Sequence, residues 1–455
     1  MYRRDLIIKK TGLYKAPYTL PTPGAKAEPT PLEKEIKRTI GVQGPISVGD
    51  YMRECLNHPQ FGYYMQRNVF GKDGDFITSP DVSQLFGESL GLWCVTTWRA
   101  MGSPKAFRLV ELGPGRGKLM HDALRITKHF KDFTCALQAV HLVENSTTMR
   151  EFQRERLGVT IQTGDTKQMD TTDWGGTTAD DTEVHWHWMT QDLPQDVPII
   201  LLANEFLDAL PIQQFQFCET RGWLEKMVDV DVSDSPNHFR FVLARSGAVK
   251  GFIPDELQPT PPHDHPNSKE YECSPASRGV VQEICKRIRK QGGAALLIDY
   301  GQDKANTDSL QAMKDHKLFI DPLDLAGKAD LTAFVDFDAL KTSALEMNDI
   351  AEGSHEIVVH PLINQQSLLR ECNIAGRLQQ LIDACETDED ALILLKGAER
   401  IMADDFIPDS DSDEEENAGE DKDKKVIVGA GMGNHFKCLC ITDKKTAVPA
   451  GFIQS

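Results

Sequence analysis

The segment Phe107-Arg-Leu-Val-Glu111-Leu-Gly113-Pro-Gly115-Arg-Gly117-Lys118 decides how this chain is read. Its first half, an apolar run ending on an acid, predicts a buried strand over 107–112, and the residues after the glycines predict a helix over 118–130. Between them, three glycines at alternate positions remove the Cβ atoms that would keep a ligand away from the backbone. The spacing excludes two common alternatives. A dinucleotide fingerprint needs a small residue where Lys118 stands, and a P-loop needs glycine at Leu112 and serine or threonine at Leu119.

Outward from this turn the texture alternates. Strands are predicted over 136–143, 198–203 and 294–298, and Val280, Val281, Ile284 and Ile288 mark a helix closed by Gly292-Gly293. Such alternation predicts an α/β, Rossmann-like domain with a mostly parallel, doubly wound sheet. Ligands in that architecture sit at the carboxyl ends of the strands. Glu111 ends the first strand and can accept from an ammonium; Glu144 ends the second and can accept from ribose hydroxyls. Two acids disfavour phosphate and tolerate a cationic sulfonium, so the ligand inferred is S-adenosylmethionine. Its candidate contacts are Glu111, Gly113, Gly115, Gly117 and Glu144.

The strand over 198–203 runs into Asn204-Glu205-Phe-Leu-Asp208-Ala-Leu-Pro211, which puts an amide and two carboxylates at the same sheet edge. Glu205 and then Asp208 are the catalytic candidates for an acceptor cation, with Asn204 on the cofactor. Gly71-Lys-Asp-Gly-Asp75-Phe-Ile-Thr78-Ser79-Pro80 reads as a lid or cofactor-edge loop, adding Thr78 and Ser79 to the cofactor set, and Ser79 reads as the cap of a helix running to Gly102. His185 and His187 alternate on one strand face but offer no third metal ligand. Asp321, Asp324, Asp330 and Asp336 are ordinary surface acids or the lining of a cationic groove.

Length and composition frame these readings. The 455 residues exceed one ordinary domain, and 40% hydrophobic with 26% charged residues is a globular composition. A formal charge of -19 argues against a nucleic-acid partner, and no apolar run reaches transmembrane length. Ten cysteines without a Cys-x-x-Cys pair predict reduced thiols rather than a disulfide framework or a zinc site. The first thirty residues are basic and acid-poor, and residues 1–43 are read as a mitochondrial targeting segment or a disordered leader. Residues 44–105 are expected to be a helical extension with the lid loop, 106–408 the methyltransferase domain with insertions, 409–425 an acidic disordered insertion, and 426–455 strands that complete the domain. The stretch 164–183, rich in Thr, Asp and Gly, reads as an inserted loop.

Several of these motifs together resemble one family. Gly44-Pro-Ile-Ser-Val, His58-Pro-Gln-Phe-Gly-Tyr-Tyr64, Gly74-Asp-Phe-Ile-Thr-Ser-Pro80, Glu111-Leu-Gly-Pro-Gly-Arg-Gly117, Asn204-Glu-Phe-Leu-Asp-Ala-Leu-Pro211, Asp299-Tyr-Gly301, Asp330-Leu-Thr-Ala333 and Gly431-Met-Gly433 match the MidA-like methyltransferases. The resemblance spans about residues 44 to 440, with two departures: the acidic insertion, and Phe334 where the family motif carries histidine. It implies S-adenosylmethionine as cofactor and, by its mitochondrial members, arginine methylation of a protein. Those members imply symmetric dimethylation of the iron-sulfur subunit 2 of complex I, in the mitochondrial matrix, during early assembly. A small-molecule methyltransferase and a non-catalytic assembly chaperone are the competing expectations.

Overall fold

Alternation of side chains within the apolar runs builds a central sheet that is buried on both faces over its middle strands. The computed structural model describes residues 28–65, 78–161, 174–233, 237–246, 269–304, 307–314, 317–319, 321–350, 353–403 and 432–453. Five parallel strands, β1 (Phe107–Leu112), β2 (Leu137–Val143), β3 (Glu183–His187), β4 (Ile199–Asn204) and β5 (Gly293–Gln302), lie in the order 3-2-1-4-5. A sixth, β6 (Phe436–Asp443), pairs antiparallel with β5. On one face Leu109, Val140, Leu142, Ile200, Leu202 and Leu296 pack beneath the helix Gln84–Ala100. On the other, Val110, Leu112, Leu201, Ala203 and Leu297 pack beneath the helices Pro275–Gln291 and Phe337–Glu346. The sheet is therefore doubly wound, as the sequence predicts.

Register places the site. Leu112 of β1 stands opposite Val143 of β2 and Ala203 of β4, so the carboxyl ends of the three strands meet at one edge. Chain order reverses between β1 and β4, which makes that edge the crevice where this architecture binds ligands.

A second unit interrupts the sheet after β4 and again after β5. Strands Gln213–Cys218, Gly222–Val230, Phe239–Leu243 and Glu270–Cys273 form an antiparallel meander joined by Ile46–Ser47. A small sheet of Gln311–Lys314, Lys317–Phe319 and Asp330–Thr332 follows. Leu32, Ile36, Tyr51, Met52, Val228 and Leu331 share its core, so the amino-terminal helices pack here rather than on the central sheet.

Three expectations need correction. The folded part begins before Gly44: Thr30 and Glu33 make a reciprocal capping box for the helix Pro31–Gln43, whose Leu32, Ile36 and Ile40 are buried. The helix expected from Ser79 to Gly102 is two, Ser79–Val82 and Gln84–Ala100, because Ser83 adopts an extended conformation and caps the second. Ser79 is thus the first helical residue and Thr78 the cap position. Within 164–183, Trp174–Thr177 pairs antiparallel with β3, so this part is an edge hairpin, not a loop. At the carboxyl end, β6 closes the sheet against β5, Ile357–Val359 and Ile363–Asn364. Residues 1–27, 66–77 with most of the lid loop, the acidic insertion and Val426–Val428 lie outside the described residues. Among the described residues, no helix is long and apolar enough to cross a membrane.

Candidate functional site

A cavity of about 510 Å³ opens at the carboxyl ends of β1, β2 and β4. Glu111, Gly113, Gly115 and Glu144 line it, as do Tyr64, Asp208 and Asp330, with Thr78, Asn204 and Glu205 also on the wall.

At the glycine turn, Gly113 N–H donates to Val143 O, tying β1 to β2 just before the chain turns into the helix Lys118–Thr127. Gly115 has φ +52, and a Cβ there would meet no atom of the described residues within 4 Å, so the missing side chain opens onto space among them. Gly113 and Gly117 serve packing instead: a Cβ would come within 2.7 Å of the Phe206 ring at one and 3.2 Å of Gln153 Cα at the other. Gly117 accordingly stands behind the cavity wall, as does Ser79.

Glu111 is 3% exposed, and burial pushes its carboxyl up to about 8. Its Oε2 is buried without a hydrogen-bond partner among the described residues. Such a group fits a cationic ligand, because a desolvated acceptor left unpaired is costly. Glu144, pushed up to about 7 by burial, accepts from Ser146 N–H at 2.7 Å and from Gln153 Nε2 at 3.2 Å. Gln153 also donates to Gly115 O at 2.8 Å and accepts from Trp186 Nε1 at 2.7 Å, so one amide fixes the glycine turn, Glu144 and β3. Lys118 Nζ donates to Asp81 O at 3.1 Å and places a cation on the cavity wall.

The segment after β4 is held by Asp299, whose Oδ2 accepts from the N–H groups of Phe206, Leu207 and Asp208 at 2.8 to 3.2 Å. Glu205 N–H donates to Ile298 O, and Glu205 adopts φ +50, a strained left-handed conformation for a non-glycine residue. Its Oε1 accepts from Ser79 N–H at 2.8 Å and from Asn204 Nδ2 at 3.1 Å. Ser79 thus meets the site through its backbone, while its hydroxyl turns to Gln365 and Met432. Burial pushes Glu205 up to about 7; burial and the facing Asp330 do the same to Asp208. Among the described residues, no lysine or arginine pairs with either carboxylate.

Sequence reasoning missed Gln153, Tyr64 and Lys118, and left Asp330 undecided. Tyr64 Oη donates to Asp330 Oδ1 at 2.8 Å, and Tyr300 lies beside Asp208. Of the four acids considered for a groove only Asp330 reaches the cavity; Asp336 caps the helix Phe337–Glu346 and Asp321 accepts from Asn237. His185 and His187 do share a face, on a different cavity, where His187 Nε2 lies 2.8 Å from His141 Nδ1. Burial holds His187 down to about 4, a neutral imidazole.

Comparison with known proteins is consistent with this geometry. Residues 89–352 match the model of an S-adenosyl-L-methionine-dependent methyltransferase family. The Drosophila melanogaster protein arginine methyltransferase NDUFAF7 homolog, mitochondrial, is 38% identical over 88% of this chain and 88% of its own length. The human protein arginine methyltransferase NDUFAF7, mitochondrial, is 37% identical over 82% of this chain and 80% of its own. A Burkholderia thailandensis protein solved with S-adenosyl-homocysteine bound shares the fold, with a TM-score of 0.66 at 22% identity over 94% of this chain and 97% of that one. The orphaned Glu111 Oε2 and the open space beside Gly115 fit S-adenosylmethionine.

Proposed function

Because this chain belongs to the S-adenosyl-L-methionine-dependent methyltransferase family, we propose that it is a protein arginine N-methyltransferase. The single observation that carries the acceptor half of this reading is a pair of carboxylates, half-buried Glu205 and buried Asp208, on the cavity wall with no ion-pair partner among the described residues. A buried anionic pole of this kind fits a cation better than a neutral metabolite. Curated relatives named as protein arginine methyltransferases supply the class of cation.

When bound, the cofactor supplies an electrophilic methyl group and leaves as S-adenosylhomocysteine. Glu111 would receive its ammonium, Lys118 its carboxylate and Glu144 its ribose hydroxyls, while Gly115 leaves room for it and Gly113 and Thr78 line the same cavity. Gly117 and Ser79 act indirectly, by packing on Gln153 and by holding Glu205. Glu205 and Asp208 hold the guanidinium and draw its charge onto two nitrogens, which leaves electron density on the third. As the nitrogen–carbon bond forms, that nitrogen gives up a proton, which Asp208 accepts; a group poised near neutrality suits this transfer.

The finer reading follows the resemblance: symmetric dimethylation of an arginine in the iron-sulfur subunit 2 of complex I, in the mitochondrial matrix, during early assembly. The basic leader and relatives named as mitochondrial support the location. The test is mass spectrometry of arginine methylation in cells with and without this protein. A symmetric dimethylarginine that disappears from that subunit and returns with the wild-type gene is the expected result. Unchanged arginine methylation across the mitochondrial proteome would remove the reading. A non-catalytic chaperone makes the opposite prediction, that a folded variant unable to bind cofactor still rescues complex I assembly.

A further inference from the structure

Asp330 reaches the cavity from a part of the chain far from the strand ends. It sits on the short strand Asp330–Thr332 of the accessory unit, is 3% exposed, and lines the same wall as Asp208. The two are locked together: Ala333 N–H donates to Asp208 O at 3.0 Å, and Tyr64 Oη fixes Asp330 Oδ1 at 2.8 Å. Two carboxylates in one buried pocket repel, and their mutual field raises Asp208. Folding alone gains nothing from this pairing.

A second observation lies beside it. Asn204 is 8% exposed and lines the cavity, and its Nδ2 donates to Glu205 Oε1, which sets the direction of the amide. Its Oδ1 is buried with no hydrogen-bond partner among the described residues. This end of the cavity therefore presents carboxylate oxygens and one unpaired carbonyl oxygen, all acceptors. A planar guanidinium with five N–H donors matches that set, whereas a methionine ammonium already has the unpaired Glu111 Oε2 on the neighbouring strand.

Resting on the arginine reading above, we propose that Asp330 joins Asp208 as the charge pole of the acceptor subsite, and that Asn204 Oδ1 receives an N–H of the nitrogen to be methylated. This moves Asn204 from the cofactor, where the sequence places it, to the acceptor. Tyr64 is a positioning residue that acts through Asp330. The subsite is specific for guanidinium because its acceptors come from two units and converge on a plane of donors, which the three donors of a lysine ammonium cannot satisfy together.

The experiment compares wild type, Asp330→Asn, Tyr64→Phe and Asn204→Ala, each saturated with S-adenosylhomocysteine. Calorimetry reads the binding of a nonapeptide pool with arginine fixed at the centre and of the same pool with citrulline, its neutral isostere. Wild type should prefer arginine by about 100-fold, within the range of charge-assisted contacts. Asp330→Asn should lose about 30-fold or more of that preference, hold S-adenosylhomocysteine within about twofold, and melt at the same or a higher temperature, since one of two repelling acids is gone. A purely structural residue would lower the melting temperature instead. Tyr64→Phe should cost about threefold to tenfold in arginine affinity, and it decides the matter if Asp330→Asn does not fold. Asn204→Ala should lower kcat for methyl transfer by about 10-fold or more with a smaller change in KM. Full arginine preference in Asp330→Asn, or in Tyr64→Phe should the first variant not fold, overturns the subsite and leaves the arginine reading standing. A wild-type complex that does not distinguish arginine from citrulline overturns the arginine reading and the subsite with it.

Discussion

The two ends of the cavity are built in different ways. The cofactor end comes from consecutive strand–turn–helix units: Glu111 and the glycine turn after β1, then Glu144 after β2, joined by Gln153. The acceptor end is assembled from Tyr64, the segment after β4, Tyr300 at β5 and Asp330 on a different sheet. The first is fixed by local geometry, which any ligand of the same shape can use. The second depends on how an accessory unit docks on the sheet, and there a shared cofactor fold can acquire its own substrate. The same contrast appears in electrostatics: burial alone raises Glu111, whereas burial and the neighbouring Asp330 together raise Asp208.

The largest effect that would separate the two ends is expected at Gly115. With φ +52 and open space where a Cβ would point, Gly115→Val should keep the fold, at some cost in backbone strain, while filling the space the cofactor needs. Binding of S-adenosylhomocysteine should become undetectable by calorimetry. A folded variant with unchanged affinity would place the cofactor elsewhere.

Glu205→Gln probes the boundary between the ends. One oxygen of Glu205 is already committed to Ser79 and Asn204, and glutamine can still accept there, so the local structure should survive. What is removed is charge at the acceptor. Single-turnover transfer to an arginine peptide should fall by about 100-fold or more, with a far smaller change in cofactor affinity. Equal losses in both would assign Glu205 to the cofactor, and near-normal transfer would pass its role to Asp208.

How far the sequence goes follows the same division. The central sheet was legible because strand and helix periods alternate cleanly and the glycine turn sits between them; β1 was read residue for residue. The helix Pro31–Gln43 was legible too, through Thr30, Pro31 and Glu33, and was overshadowed by the basic leader before it. The accessory meander was not, although Gln213-Gln-Phe-Gln-Phe217 alternates: short antiparallel strands gain their stability from partners distant in sequence. Asp330 looked like one acid in a series because nothing nearby in the chain says that Tyr64, 266 residues away, will meet it. Gln153 had no signal either, since its role lies in three contacts made across the fold.

Acidity gives a third, smaller way to test the comparison. Burial raises Glu205 and Asp208 to about 7 and Glu111 to about 8. In the unliganded protein the acceptor acids are neutral below that range, so kcat/KM for an arginine acceptor should fall about tenfold per unit as pH drops below 7. Cofactor affinity should fall along a separate curve centred nearer 8, with proton release on binding. The sign for stability is the reverse: these acids have folded values above their unfolded values of 3.8 to 4.5, so the stability they allow at low pH is lost as pH rises through 7 and 8. The free protein should therefore melt higher at pH 6 than at pH 8.5 as far as these groups decide. A pH-independent kcat/KM between 6 and 8 would show that the acceptor pole is not the one described.

The smallest effect is expected at Gln153, and it asks whether the cofactor end is as local as it looks. Gln153 reaches from the helix Thr147–Leu157 to Gly115 O, Glu144 Oε2 and the Trp186 indole. Gln153→Met keeps the volume and removes all three bonds, leaving Glu144 with a buried oxygen to desolvate and the glycine turn with one fewer restraint. Hydrogen bonds of this kind contribute about 0.5–1.5 kcal/mol each to stability, and part of that loss should appear in binding. Affinity for S-adenosylhomocysteine should weaken by about fivefold to tenfold, while the arginine-over-citrulline preference of the saturated complex should stay intact, because no Gln153 contact reaches Asp208 or Asp330. Loss of that preference in Gln153→Met would mean that the two ends are coupled through the sheet.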